Sequence, residues 1–393
     1  MRIKRLITCI LFIQALFLCS LVSAAPQTTT LSNYKLSEFV SNPEGEFDSI
    51  DFKGSPYFIE LTEGDDSFEL ITTTLDDKYK LVKNTASITA LLNLTPEDVN
   101  YYELQVKANA KEIFALIQGD KADGTRFGYL LHSQDGKSWY LNESFPLNGT
   151  LKNKLDDLYI NDAANHSLTV SYSSYDYSFG YDNDKVFFSS DDGLTWNTME
   201  VPKHSFVADG PYIADNGYFL NLKSQDSNYK SVLYSTDGTS PLVKVDTSKV
   251  QEYNFHGTQT AKKFEYINGI HSVNGKLIAQ VEYVTNDDAD DYSSLLWSSN
   301  DNGKTWSVLA ELPESNIHQV KFVNNTYHII TSDHKFNSFY YRFTEGELSQ
   351  SSDHSMAKPT LKFDKTMSEI MNITAKEVIF LLANLDGVRV VKF

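Results

Sequence analysis

Ser189-Ser190-Asp191-Asp192-Gly193-Leu194-Thr195-Trp196 recurs almost letter for letter as Ser299-Asn300-Asp301-Asn302-Gly303-Lys304-Thr305-Trp306. A shorter form stands at Ser133-Gln134-Asp135-Gly136-Lys137-Ser138-Trp139, and a worn one at Ser235-Thr236-Asp237-Gly238-Thr239. Each follows a strand-forming run: Tyr129-Leu130-Leu131, Val186-Phe187-Phe188, Val232-Leu233-Tyr234 and Leu295-Leu296-Trp297. The spacing predicts a tight hairpin. Ser and Asp side chains bond backbone groups about two residues on and close the turn locally. Gly supplies a backbone conformation that other residues resist. The Trp just after the turn packs between neighbouring sheets, with a polar partner expected for its N–H. Turn chemistry accounts for every residue of the stretch, so it is read as a folding device and not as a catalytic site.

Ser-x-Asp-x-Gly-x-Thr-Trp resembles the Asp-box, or BNR repeat, of sialidases, sortilin-type receptors and other secreted β-propellers. Two copies match the whole pattern, one its shorter variant, and one is degraded. The copies span Ser133 to Trp306, under half the chain. The resemblance implies an all-β propeller.

The rest of the chain agrees with that architecture. Short alternating or apolar runs are separated by Gly, Asn, Asp and Ser clusters, the pattern of many antiparallel strands. A repeat of about 40–65 residues with four strands per unit reads as a propeller. Aligning the hairpins lays out seven four-stranded blades, with six as the alternative count. The first uses Phe47–Phe52, Tyr57–Leu61, Phe68–Thr72 and Tyr79–Val82. The last ends on Val388–Phe393 and is one strand short. Ala110-Lys111-Glu112-Ile113-Phe114 matches Ala375-Lys376-Glu377-Val378-Ile379, which makes Val388–Phe393 a third strand. The missing fourth is then supplied by the N-terminal segment Tyr34–Val40, closing the ring and removing exposed edges. A competing alignment reads Asp386-Gly387 as a decayed repeat hairpin and puts the C-terminus on a fourth strand.

The N-terminus reads as a leader. Met1-Arg2-Ile3-Lys4-Arg5 is basic, Leu6 to Val22 is nearly unbroken apolar, and Ser23-Ala24-Ala25 offers a small-residue cleavage site. Residues 1–25 are therefore expected to be a signal peptide and residues 31–393 a single propeller domain. A secreted or periplasmic location follows, with no membrane span in the mature protein. Both cysteines, Cys9 and Cys19, lie in the leader, which excludes cysteine catalysis and thiolate metal sites from the mature chain. The leader carries three of the 34 basic residues and none of the 52 acidic ones, leaving a net charge of −21. That field disfavours nucleic acid and anionic membranes and favours cations or a cationic partner.

In a propeller the turns between second and third strands emerge on one face and the repeat hairpins on the other, because antiparallel order alternates the ends. Function is expected on the first face. Its turns carry Asp65, Asp66, Asp120, Asp123, Asp176, Asp182, Asp184, Asp226, Asp333, Asp386 and the run Asp287-Asp288-Ala289-Asp290-Asp291. Asp is a common turn residue and this chain is acidic throughout, which explains the pattern without a ligand. The sharper reading is a site for Ca²⁺ or a basic ligand, with Asp287, Asp288, Asp290 and Asp291 as metal ligands. A second candidate is the aromatic loop around Tyr175, Asp176, Tyr177 and Tyr181. Its rings can stack on sugar faces, or fold over and bury one another.

The sialidase resemblance implies three arginines converging on a carboxylate, for which a guanidinium fork is suited. Residues 26–393 hold only Arg126, Arg342 and Arg389. Arg126 is placed at the channel mouth as a ligand-binding residue; the other two fall in third strands away from the axis. The family's Arg-Ile-Pro motif is absent. No Gly-x-Ser-x-Gly elbow or His-Glu-x-x-His helix occurs. The expected function is a non-enzymatic module binding a glycan or a protein, with no required cofactor beyond an optional Ca²⁺. The alternatives are a glycoside hydrolase, sialidase-like or inverting, and a structural or assembly partner.

Overall fold

The run Ile113-Phe114-Ala115-Leu116-Ile117 has no polar side. A strand sends alternate residues to opposite faces, so an unbroken apolar run must be covered on both. It is: Ile113, Ala115 and Ile117 pack with Ile50, Leu61 and Leu70 of the preceding sheet. Phe114 and Leu116 pack with Leu158, Leu168 and Val170 of the following one. This sandwiching repeats along the chain, so each of the five interfaces from the first sheet to the sixth has its own apolar cluster.

A computed structural model describes residues 29–392, apart from 43–44, 77, 79, 153–155, 165, 177–179, 182–184, 215–216, 225–229, 256–260, 274, 285–292, 313–315, 333–336, 346, 348–359, 364–366, 374–376 and 383–386. The described strands form an all-β propeller. They pair into seven antiparallel sheets of four or five strands. The innermost strands are Phe47–Phe52, Val99–Ala108, Asp156–Ala164, Ser205–Ala214, Lys262–Val273, Asn316–Val323 and Met367–Ile373. Each touches the next, and Met367–Ile373 touches Phe47–Phe52, so the ring of inner strands returns on itself around a central channel.

The two ends of the chain meet in one sheet. Thr29–Tyr34 pairs antiparallel with Gly387–Lys392, which pairs on its other side with Glu377–Leu382. The strand lies five residues earlier than Tyr34–Val40. The residues Leu36–Phe39 instead form one helical turn, because Leu36, Phe39 and Val40 are needed on one side to pack against Phe58 and Leu75. Asp386 lies outside the described residues, and Gly387 opens the strand. The segment after the helical turn is held by a buried carboxylate: Glu60 accepts from the backbone N–H groups of Ser41 and Asn42 at 2.8 and 2.7 Å and from the Ser41 hydroxyl.

The four repeat hairpins join third to fourth strands. In both full copies the Ser hydroxyl donates to the Asp carboxylate and accepts the Gly N–H, at 2.8 Å for Gly193 and 2.9 Å for Gly303. Asp191 and Asp301 then take the N–H and hydroxyl of Thr195 and Thr305. The short copy does the same through Ser133, Asp135, Gly136 and Ser138. In the worn copy, Ser235 is not the turn acceptor; the Gly238 N–H bonds the Thr236 hydroxyl at 3.1 Å, although its Ser-to-Gly spacing equals that of the short copy. The tryptophans correct another expectation. Trp139 and Trp306 are buried and Trp196 partly so, yet no described residue accepts from any of their three indole N–H groups.

Each hairpin also clamps the preceding sheet. Gly303 has φ +78°, and a Cβ there would lie 2.4 Å from the Phe219 ring of the fourth sheet. Asp192 binds Asn109 of the second sheet at 2.8 Å, and His166 of its own sheet at 2.8 Å. Two constraints thus meet at the hairpin glycine, a left-handed backbone and close approach. Gly303→Ala is expected to lower stability by about 2–4 kcal/mol, combining backbone strain with overpacking. Leu194→Ala, at a side chain 72% exposed, should change stability by less than about 0.5 kcal/mol. Denaturant unfolding of the two variants measures both.

Candidate functional site

Strand pairing places the inner strands' beginnings and the second strands' ends at one face, away from the repeat hairpins. Between the second, third and fourth sheets this face holds a cleft of about 570 Å³. Its walls are Gln105 and Lys107, then Asp157, Tyr159 and Asn161, with Ser171 and Ser173 behind them, and Asp209 and Lys223 opposite. Strand alternation makes this surface: Leu158 and Ile160 turn into the core while Tyr159, between them, is 44% exposed. Irregular pairing widens it. Register shifts at Ile160/Asp162 and Val207/Asp209 leave Asn161 and Ala208 as extra residues, and bulges of this kind re-aim side chains. Lys107 and Asn161 also line the central channel, a cavity of about 640 Å³.

Two of the cleft's charged residues, Asp157 and Lys223, are held in ion pairs with residues behind the lining. Arg126 opens its strand as expected from sequence, and its side chain is 12% exposed. It lies 2.6 Å from Asp157 and 3.7 Å from Asp120, so its guanidinium is already held by carboxylates. Lys223 pairs with Glu265 at 2.5 Å. Asp209 accepts from Asn221 at 3.2 Å and from the backbone of Ile267. Burial pushes its pKa up to about 6, against the pull of those hydrogen bonds and of Lys223. In the channel, Asp48 and Asp162 are likewise raised by burial, offset by backbone N–H groups and by Lys107. Burial holds the channel-lining His271 down at about 4; its imidazole is neutral and bonds Gln280 at 2.7 Å.

The other predicted site residues fall as follows. Tyr175 and Asp176 end the second strand of the third sheet, and their backbone pairs with Tyr181 and Gly180. They continue the strand whose Ser171 and Ser173 line the cleft, so this segment springs from the cleft rim. Tyr177 lies outside the described residues, as do Asp287, Asp288, Asp290 and Asp291. Asp123 caps its own turn by accepting from Thr125. Among the described residues no group of three or more His, Asp or Glu side chains could hold a metal ion. The three arginines sit on the third strands of three different sheets, the second, sixth and seventh. Arg342 is exposed.

No protein-family model and no curated protein sequence matches this chain. Several solved structures align with it. The β-propeller domain of the Trilobed protease from Pyrococcus furiosus aligns with a TM-score of 0.48 at 8% identity, over 88% of this chain and 94% of that one. Pyrococcus horikoshii acylaminoacyl peptidase aligns at 0.49 and 9%, over 89% of this chain and 51% of that one. A Hadza microbial sialidase aligns at 0.41 and 12%, over 73% and 62%. The chain thus spans about half the length of the peptidase. These likenesses concern the propeller alone. No helix among the described residues is long and apolar enough to cross a membrane.

Sequence reasoning missed Gln105, Lys107, Tyr159 and Asp209. Inner-strand alternation was the available signal: in Leu158-Tyr159-Ile160 the tyrosine must face away from two core residues. The raised carboxyl of Asp209 makes a testable statement. Its folded pKa of about 6 exceeds the ordinary 3.8, so its stability contribution is complete below about pH 4 and is lost as pH rises through 6. Asp209→Asn keeps an acceptor and removes that loss. The variant should match wild type near pH 4 and exceed it by roughly 1–2 kcal/mol at pH 8, discounting for partial exposure. Unfolding curves for both proteins across this range measure the difference.

Proposed function

We propose that this chain is a secreted Asp-box propeller, seven-bladed and closed by Thr29–Tyr34, that binds a glycan in the cleft between its second, third and fourth sheets. The carrying observation is the lining: an exposed tyrosine, two serines, two amides, and both signs of charge in one concave site of about 570 Å³. A sugar presents apolar C–H faces that suit an aromatic ring and hydroxyls that both donate and accept. Asp157 and Lys223, already held in ion pairs, suit a neutral, hydroxyl-rich ligand, since a charged one would have to displace Asp157 from Arg126 or Glu265 from Lys223. The aromatic segment at Tyr175, Asp176, Tyr177 and Tyr181 would extend the same site from its rim. Ca²⁺ at Asp287–Asp291 would be an accessory to it.

A glycan array with and without EDTA tests the reading. Tyr159→Ala should weaken the best glycan about tenfold, the loss of one aromatic contact of about 1.4 kcal/mol. Absence of binding in every condition would sink it. A second reading is a glycosidase, favoured by Asp209, whose raised pKa suits a general acid. Turnover of a fluorogenic sialoside or an aryl glycoside, abolished by Asp209→Asn, would replace the binding module with an enzyme.

A further inference from the structure

The outer edges of the sheets are unlike one another. The strand farthest from the channel is Tyr140–Leu141 in the second sheet, Asn197–Glu200 in the third, Val243–Lys244 in the fourth and Leu361–Phe363 in the sixth. In the fifth it is Ser307–Leu312, whose pairing slips in register and whose last three residues are buried. The first sheet ends instead on Leu81–Ser87. All seven residues pair without a bulge to Phe68–Leu75, and the far edge has no strand partner among the described residues. Folded proteins blunt such edges by shortness, bulges or charge, because the open backbone groups accept any extended chain. Here only charge is used. Lys78, Lys80 and Lys83 are exposed at this corner beside the exposed Leu81 and Val82. No carboxylate lies within ion-pair distance of these lysines among the described residues. Asp76 is turned into its own turn, accepting the N–H groups of Lys78 and Lys80 at 2.9 and 2.8 Å.

A basic edge on a chain of net charge −18 discriminates by sign. An antiparallel pair of copies would hold the lysines at opposite ends and give them no acid to meet, while a parallel pair would bring them together, where like charges across strands destabilise pairing. An acidic strand meets no such penalty. We propose that Leu81–Ser87 is a docking edge to which a partner protein adds an extended acidic segment as a further strand. Backbone pairing would supply the affinity, the three lysines the choice of partner, and Leu81 and Val82 an apolar contact for alternate side chains.

The test uses two fluorescein-labelled seven-residue peptides, alternating Glu with Val or Thr and Lys with Val or Thr, titrated against the full chain. The Glu peptide should bind at least tenfold tighter and slow hydrogen exchange at residues 81–87. The triple variant Lys78→Glu, Lys80→Glu, Lys83→Glu, on exposed side chains, should keep its unfolding midpoint and reverse the preference. Failure of both peptides to bind would overturn the proposal, as would binding without protection at 81–87. Equal protection by a heparin oligosaccharide would mean charge attraction without strand addition. Protection that rises with protein concentration alone would mean a second copy occupies the edge.

Discussion

Among the described residues the inner strand of each sheet has one edge without a strand partner, except in the fifth, where Glu252–Tyr253 pairs with the first residues of Lys262–Val273. The backbone donors and acceptors of such an edge must be satisfied some other way, since an unpaired buried N–H or C=O costs as much as a lost hydrogen bond. This chain meets the requirement with side chains that reach from one sheet to the next. Asp48 accepts from Val106 at 2.7 Å, and Asp162 from Ile213 at 2.8 Å. Between the second and third sheets, Gln118 accepts from the N–H of Leu158 and donates to its C=O, at 2.8 and 3.0 Å. An amide side chain thus imitates a neighbouring strand. Tyr212 donates to Ile267 at 2.9 Å, and Asn268 to Ile317 at 3.2 Å. The polar channel wall follows from this constraint before any ligand is considered.

The same constraint explains why the carboxylates of the ring are raised by burial and yet retained. Each is desolvated, which favours the neutral form, and each accepts backbone N–H groups, which favours the charged one. The two effects oppose each other at Asp48, Asp162 and Asp209 alike. The repeat hairpins at the opposite end show the contrasting case. Asp237 and Asp301 are exposed at turns and gather several donors that outweigh a small desolvation, so their pKa values are lowered. One residue type serves as a latch inside and a turn staple outside, distinguished by solvent access alone.

That contrast sets what was legible in the sequence. The hairpins are local: Ser, Asp, Gly and Thr within eight residues complete their own hydrogen bonds, so spacing alone reveals them. The runs flanking them are strands for the equally local reason that they are apolar. The latches are not local. Nothing in Asp162-Ala163 announces a bond to Ile213, 51 residues away. The same holds for Arg126, whose position at the start of a third strand was readable but whose pairing with Asp157 depends on how two sheets abut. The N-terminal strand was misplaced because its two options, Thr29–Tyr34 and Tyr34–Val40, differ only in what Leu36 and Phe39 pack against. The missing acceptors for the indole N–H groups were also beyond reach, since the apolar packing of each ring is a property of the inter-sheet cluster.

The cleft lies beside register shifts of two neighbouring inner strands, although other inner strands shift as well. The fourth sheet's inner strand shifts register twice, at Val207/Asp209 and at Asp209/Tyr212. The third sheet's shifts once, beside Asn161. Of the residues left out of pairing by these shifts, Asn161, Ala208 and Gly210 are cleft residues and Pro211 is not. A regular ladder would have turned those positions into a closed channel wall. Bulging sends them into open space, while Asp162 and Asp209, on either side, still hold the sheets together. Closing the ring and opening a site are therefore achieved by neighbouring residues of the same strands. A residue such as Asp209 cannot be assigned wholly to one task, because its carboxylate faces the cleft and holds the fifth sheet at once.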